Sequence, residues 1–270
     1  MLHAEIYHGY DANYRVVMDI LTPNPKDEIL EIDVGTGACA KRIAPTVRQH
    51  VGIDIASRTI EALKQYIKGR NICFYCFDMC SQVIRSELRG KFNKAFSFDT
   101  LEHVECPQKF FKNLALMLAP NGEAIVAFPN ESPPKMRGIT SLRTWSDMLA
   151  LLENASLKVV KVYEVRRSFL FRNFKQWLWE PIVKLEKFII VPRNYRPQYF
   201  DDTVAFRFIT KPSKLGRLLN IYARFLIKIA SIEPIFCYIP SWKRRTWKFG
   251  INISSCISKL QKYQKDSNLE

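Results

Sequence analysis

The sequence predicts an α/β protein, a mostly parallel sheet with helices on both faces, and three observations predict it. Residues 29–37, ILEIDVGTG, read as a strand running into a tight turn, and 38–47 carry the apolar spacing of a following helix. Apolar runs rich in β-favouring residues then alternate with helix-compatible runs at about 20–30 residue spacing, the rhythm of strand–helix–strand units. Three of those strand runs close on an acid, at Asp54, Asp78 and Asp99.

The elements follow in order. Residues 12–21 have helical spacing and stop before Pro23 and Pro25. Residues 50–53 form the second strand, after which Ser57 is expected to cap a helix reaching about Lys68. Residues 71–77 and 93–98 are the third and fourth strands. Pro107 opens a helix that runs to Leu118 and stops at the turn Pro120-Asn121-Gly122, and 123–128 is the fifth strand. A helix over 141–154 and strands over 157–165 and 204–209 complete the first domain, 1–212. Residues 166–200 are too long for an ordinary connection and are expected to be an insertion forming a cap or lid. A basic, amphipathic, helical extension, 213–270, follows, with its clearest helix over 214–231.

Charge divides the chain in two. Of 41 bases and 26 acids, 16 of each fall in residues 1–135, leaving 25 bases against 10 acids in the remainder, which carries the whole net charge of +15. A basic half implies an anionic partner. Seven cysteines at irregular spacing fit reduced thiols and a cytoplasmic protein, with no secretory leader and no apolar run long enough to span a membrane.

The turn after the first strand leaves helix-start N–H groups free and lets a ligand approach the main chain, which suits a nucleotide-like molecule. Asp54, about twenty residues beyond the turn at the next strand's end, is placed to accept ribose hydroxyls. Each strand-end acid could instead serve as a helix cap; the three together with the glycine turn favour a ligand site.

The runs ILEIDVGTGACAKRI, VGIDIA, FYCFDM and FNKAFSFDTLEHVECPQKFFKNLALMLAPNGEAIVAFPN, in that order, resemble class I S-adenosylmethionine-dependent methyltransferases. They are closest in style to the small-molecule type that includes quinone-biosynthesis O-methyltransferases. The resemblance implies a seven-stranded Rossmann-like sheet with the last strand antiparallel, and S-adenosylmethionine as cofactor. It implies that Glu31 and Gly35-Thr36-Gly37 hold the methionine moiety, and that Asp54 takes the ribose with Ile55 against the adenine. Asp78 and Met79 would meet the adenine edge, and Asp99, Thr100 and His103 would line the donor methyl and the acceptor mouth.

Asp33 stands where the family usually has the first glycine of the turn, so it too borders the cofactor. It brings a side chain and a charge to a point of close approach. Two readings stay open: an active methyltransferase of a small-molecule or lipid-like acceptor, or a cofactor-impaired, non-catalytic relative whose basic half carries the function. His103 is the one strand-end histidine and the candidate base for a hydroxyl acceptor. No metal site is expected, because Cys73 and Cys76 would point to opposite faces of a strand.

Residues 166–200 hold eight bases and two acids among Phe169, Phe171, Phe174, Trp177, Trp179, Phe188 and Tyr195. With 214–248, they suit contact with an anionic membrane surface at the inner face of a membrane. Nucleic acid ranks behind, since FDTLEHV lacks the Asn/Asp-Pro-Pro-aromatic signature of many nucleobase methyltransferases.

Overall fold

In the computed structural model, residues 10–128, 145–165, 177, 180–190, 213–216, 236–238 and 256–262 are described. Eight strands among them, β1 (Glu28–Ile32), β2 (Gln49–Asp54), β3 (Ile72–Cys76), β4 (Phe92–Ser97), β5 (Leu118–Phe128), β6 (Leu157–Val165), β7 (Phe236–Tyr238) and β8 (Cys256–Lys262), form one sheet. Its order is β3-β2-β1-β4-β5-β8-β6-β7. β1 to β5 run parallel, and β8 lies antiparallel to both β5 and β6. Apart from the short β7 edge, this is a seven-strand mixed sheet with its last strand antiparallel. Strand order reverses between β1 and β4, which leaves a crevice at their carboxyl ends.

Alternation along the strands divides the core. Leu30 and Ile32 of β1 face the side covered by α4 (Pro107–Met117) and α5 (Trp145–Asn154), where Phe110, Phe111, Leu114 and Leu152 are buried. Ile29 faces the other side, packing with Val17, Leu21, Cys39 and Ile43, where α1 (Tyr10–Val16), its π-helical continuation (Val17–Leu21) and α2 (Ala38–Ile43) lie. Beside these, Val34, Phe74, Ile60 and Leu63 bury the inner face of α3 (Ser57–Tyr66). Strands covered on both faces read as continuous apolar runs, which is why β1, β2 and β4 were legible. Each fully buried Phe such as Phe110 contributes about 1.5–3 kcal/mol.

Several sequence expectations are corrected. Ser57 does not cap α3. The N-cap is Ala56, without a side-chain cap, and its N–H is held by Asp54 Oδ1 at 2.9 Å, so the strand-end acid has taken over that turn. The expected turn at 120–122 is absorbed into β5 as an irregularity, with Asn121 at φ 58° and a register shift opposite Phe92 and Lys94.

The antiparallel strand is β8, from a stretch expected to be helical extension, while 204–209 lies outside the described residues. CISKLQK conceals its role because its polar residues find partners inside the sheet. Lys259 Nζ meets Glu123 Oε1 at 2.9 Å, and Lys262 Nζ donates to the Leu118 carbonyl at 2.7 Å. Most of 166–200 and of 214–231 also lies outside the described residues; the insertion contributes α6 (Glu180–Ile190).

The thiols are not all free. Cys80 and Cys106 are disulfide-bonded, their Cα atoms 5.8 Å apart. Asn113 Nδ2 donates to the carbonyls of Met79 and Ser81, both at 3.0 Å, and so ties the loop after β3 to α4, which Cys106 precedes.

Candidate functional site

The turn after β1 forms as the glycines require. Asp33 and Val34 donate their N–H groups to the Ile53 carbonyl at 2.9 and 3.1 Å, and the Gly37 N–H closes on the Val34 carbonyl at 2.9 Å. Gly37 has φ 72°, which favours glycine, and a Cβ there would lie 2.5 Å from Ile67 Cδ1 and 2.6 Å from Leu63 Cδ2, so any side chain would also have to displace those two side-chain ends. Asp33, at φ 63°, adopts the left-handed conformation that a glycine would take freely, at a cost of about 1–2 kcal/mol. Thr100 Oγ1 donates to Asp33 Oδ2 at 3.2 Å and accepts from Ser97 Oγ at 3.0 Å, which joins the β1 turn to the end of β4. Asp99 is left-handed too, at φ 53°.

Asp54 fastens the turn to β2. Its Oδ2 accepts from Gly35 N at 3.1 Å and its Oδ1 from Ala56 N at 2.9 Å, and each oxygen keeps acceptor capacity. Asp54 is buried, whereas its neighbour Ile55 is 43% exposed, an apolar side chain left open at a strand end. Asp78 is exposed, its Oδ1 accepting from Cys80 N at 2.8 Å, and Met79 is buried. His103 is exposed on the 3₁₀ turn Leu101–His103.

A small cavity, open to solvent, lies beside this turn and is lined by residues that include Glu31, Asp33, Thr36, Cys39, Phe96 and Phe98. Asp33 borders the cavity without filling it. Two buried polar atoms of lining residues, Glu31 Oε2 and Thr36 Oγ1, have no hydrogen-bond partner among the described residues, although Glu31 Oε2 lies 3.1 Å from His50 Nε2. Buried polar atoms left in this way are what a polar ligand would satisfy. Asp54 is tied to the turn beside it through the Gly35 N–H.

Negative charge gathers here. Burial raises the Glu31 pKa; the neighbouring His50 and the Ala40 amide oppose the rise. Desolvation and then the Asp54 carboxylate push Asp33 well above its ordinary value. Its outer surface is open to solvent, so the like-charged neighbour is the more durable cause. Asp54 is raised by burial against the pull of the Ala56 and Gly35 amides. Asp33 and Asp54 therefore titrate as a pair that retains a proton to higher pH than isolated carboxyls would. Glu102, buried behind His103, is raised to about 7 by burial and by Asp99, against its own backbone hydrogen bond and His103.

Glu31, Asp33 and Thr36 line the cavity, Gly35, Gly37, Asp54 and Thr100 belong to the same turn or are hydrogen-bonded to it, and Ile55, Asp78, Met79, Asp99 and His103 lie on the neighbouring strand-end loops. Glu102 and His50 were missed. The signal for His50 was a lone polar residue inside the apolar β2 run; Glu102 was hidden by its neighbour His103. Among the described residues no group of three His, Cys, Asp or Glu is arranged to hold a metal ion.

Residues 30–126 match the family model of a methyltransferase domain. Phosphoethanolamine N-methyltransferase 2 of Caenorhabditis elegans is 24% identical over 119 residues, which is 44% of this chain; the chain spans 27% of that relative's length. Among solved structures, the [4+2]-cyclase SpnF superposes with TM-score 0.58 at 15% identity, covering 94% of this chain and 81% of the other. The Haemonchus contortus phosphoethanolamine N-methyltransferase 2 bound to S-adenosyl-L-methionine gives TM-score 0.54 at 14% identity, covering 94% and 53%. The YcgJ protein of Bacillus subtilis gives 0.53 at 12%, covering 94% and 99%. At these identities the superpositions establish the fold alone. The matched span over β1 to β5 makes residues 30–126 similar to the methyltransferase domain family, on the fold that class I S-adenosylmethionine-dependent methyltransferases share.

Proposed function

We propose that this domain transfers a methyl group from S-adenosylmethionine to a small-molecule or lipid-like acceptor. The observation that supports it is the turn after β1, where Asp33 lines a cavity with Glu31 and Thr36, two residues with unsatisfied buried polar atoms, and where Gly35 is fastened to Asp54. Glu31 and Thr36 would bind the amino-acid end, Asp54 the ribose hydroxyls, and Ile55, Asp78 and Met79 the adenine. The cofactor supplies a methyl group on a sulfonium, open to in-line displacement, so the protein's part is alignment and exclusion of water. Asp99 and Thr100 would border the acceptor, whose proton would pass to His103. The Caenorhabditis elegans relative is named for an amine-bearing head group, and an acidic mouth suits an acceptor of that class. Methyl transfer from labelled cofactor to a panel of head-group amines, quinols and lipid extracts tests the reading; no labelled product from a cofactor-binding protein would overturn it.

A membrane-facing role for the insertion has its own support. Among the described residues no helix is long and apolar enough to cross a membrane. Yet Leu185, Phe188 and Ile189, on one stripe of α6, are 55%, 52% and 61% exposed, and Trp177 is 77% exposed. Apolar side chains exposed within a cationic segment suit an anionic lipid surface, where rings sit at head-group depth. Co-sedimentation with phosphatidylglycerol vesicles that weakens with salt is expected; equal binding to phosphatidylcholine vesicles, or none to either, would overturn it.

A further inference from the structure

His50 is a buried titratable group with no place in the scheme above. β2 alternates, so that Val51 and Ile53 face the α4 side of the sheet, while His50 pairs with Ile29 on the α2 side. One step diagonally across β1 lies Glu31. His50 is fully buried, and its Nε2 is 3.1 Å from Glu31 Oε2. The pair is close enough for an ion pair but poorly aligned for a hydrogen bond, and His50 Nδ1 has no partner among the described residues. The ring otherwise meets Phe96 edge-on, its centroid 6.3 Å away. A position in an apolar strand, filled by a group costly to bury, is explained by what that group does for its neighbour.

We propose that His50 is a positioning residue for the cofactor's amino-acid end: lying 3.1 Å from Glu31 Oε2, it favours the charged carboxylate and holds it at the cavity, where it meets the α-ammonium group. The inference rests on the cofactor reading above. A carboxylate in this place would otherwise favour its neutral form. Asp54 on β2 adds like charge, and Asp33 and Cys39 line the same cavity from the turn and from α2. Asn13 of α1 and Phe96 of β4 line it without charge. The Ala40 amide and His50 are what favour the anion. A neutral Glu31 could accept a hydrogen bond from the ammonium but could not balance its charge, and charge-assisted bonds are about twice as strong as neutral ones.

The test is calorimetric titration of S-adenosylhomocysteine, which keeps the amino-acid end, into wild type, His50→Leu, His50→Gln and Glu31→Gln from pH 5.5 to 8.5. Wild-type affinity is expected to fall as pH drops and Glu31 takes up its proton. His50→Leu is expected to bind about 10-fold more weakly at pH 7, with its acid limb displaced to higher pH. His50→Gln, which retains a neutral donor, should fall between the two, and Glu31→Gln should bind weakly with a flat profile. An acid limb in His50→Leu that coincides with wild type, even at reduced affinity, overturns the proposal and leaves His50 as core packing. Should His50→Leu not fold, an unshifted limb in His50→Gln overturns it equally. Absence of binding by folded wild type overturns the cofactor reading, and this inference with it.

Discussion

Glu102 is a buried carboxyl that the fold holds at a loss, and replacing it with glutamine measures that loss. Its pKa stands at about 7 in the folded protein against an ordinary 4.5. A raised carboxyl contributes fully to stability below its unfolded value, and the contribution is lost as pH rises through the folded value. Stability should therefore decline between about pH 4.5 and pH 7. At about 1.4 kcal/mol per pKa unit, the shift sets a ceiling of about 3 kcal/mol above pH 7. Glu102→Gln keeps shape and hydrogen bonding but cannot ionise. It should be more stable than wild type at pH 8 by up to that amount, about 6–12 °C in melting temperature for a chain of this size, and no more stable at pH 4.5. Urea denaturation or thermal melts across that range decide it. A stability difference that does not change with pH, or a variant less stable at pH 8, would refute the burial and like-charge argument for the crevice.

Three further outcomes follow from the same geometry. Asp33→Gly removes both the like-charge neighbour of Asp54 and the left-handed aspartate, and should tighten S-adenosylhomocysteine binding by about 10-fold at neutral pH; unchanged calorimetric affinity would show that Asp33 is no hindrance. Gly37→Ala forces a side chain into Ile67 and Leu63 at a positive φ and should cost about 2–4 kcal/mol in urea denaturation, a loss that an ordinary surface alanine would not show. His103→Asn should lower kcat while sparing KM for the acceptor if His103 takes the acceptor's proton; unchanged turnover would leave the neighbouring Glu102 as the candidate base.

Legibility followed from the periodicity of burial. β1, β2 and β4 lie inside a sheet covered on both faces, so most of their residues are apolar and easily recognised, and the turn after β1 was legible from the glycines of Gly35-Thr36-Gly37. β8 was missed for the opposite reason. It sits between two strands, yet it carries Lys259 and Lys262, whose partners Glu123 and the Leu118 carbonyl come from more than a hundred residues away. Tertiary partners of that kind leave no mark in a local pattern. The same holds for the site. Asp54 was found from its distance along the chain to the turn. Glu102 and His50 depend on burial and on which neighbours they face, and neither can be read from spacing.

The Cys80–Cys106 bond belongs in the same account. It joins the Asp78 loop to the start of α4, two segments that the proposed site uses, although cysteine spacing alone pointed to free thiols.

Everything proposed for this domain turns on whether the crevice between the β1 turn and the end of β2 accepts an adenosyl cofactor. Titration of S-adenosylhomocysteine into the wild-type chain, with Asp54→Ala alongside, tests that directly. Saturable binding by wild type, abolished or at least 10-fold weaker without the Asp54 carboxylate, is the expected result. No heat and no competition at about millimolar ligand in folded wild type, or equal affinity in both proteins, would contradict it.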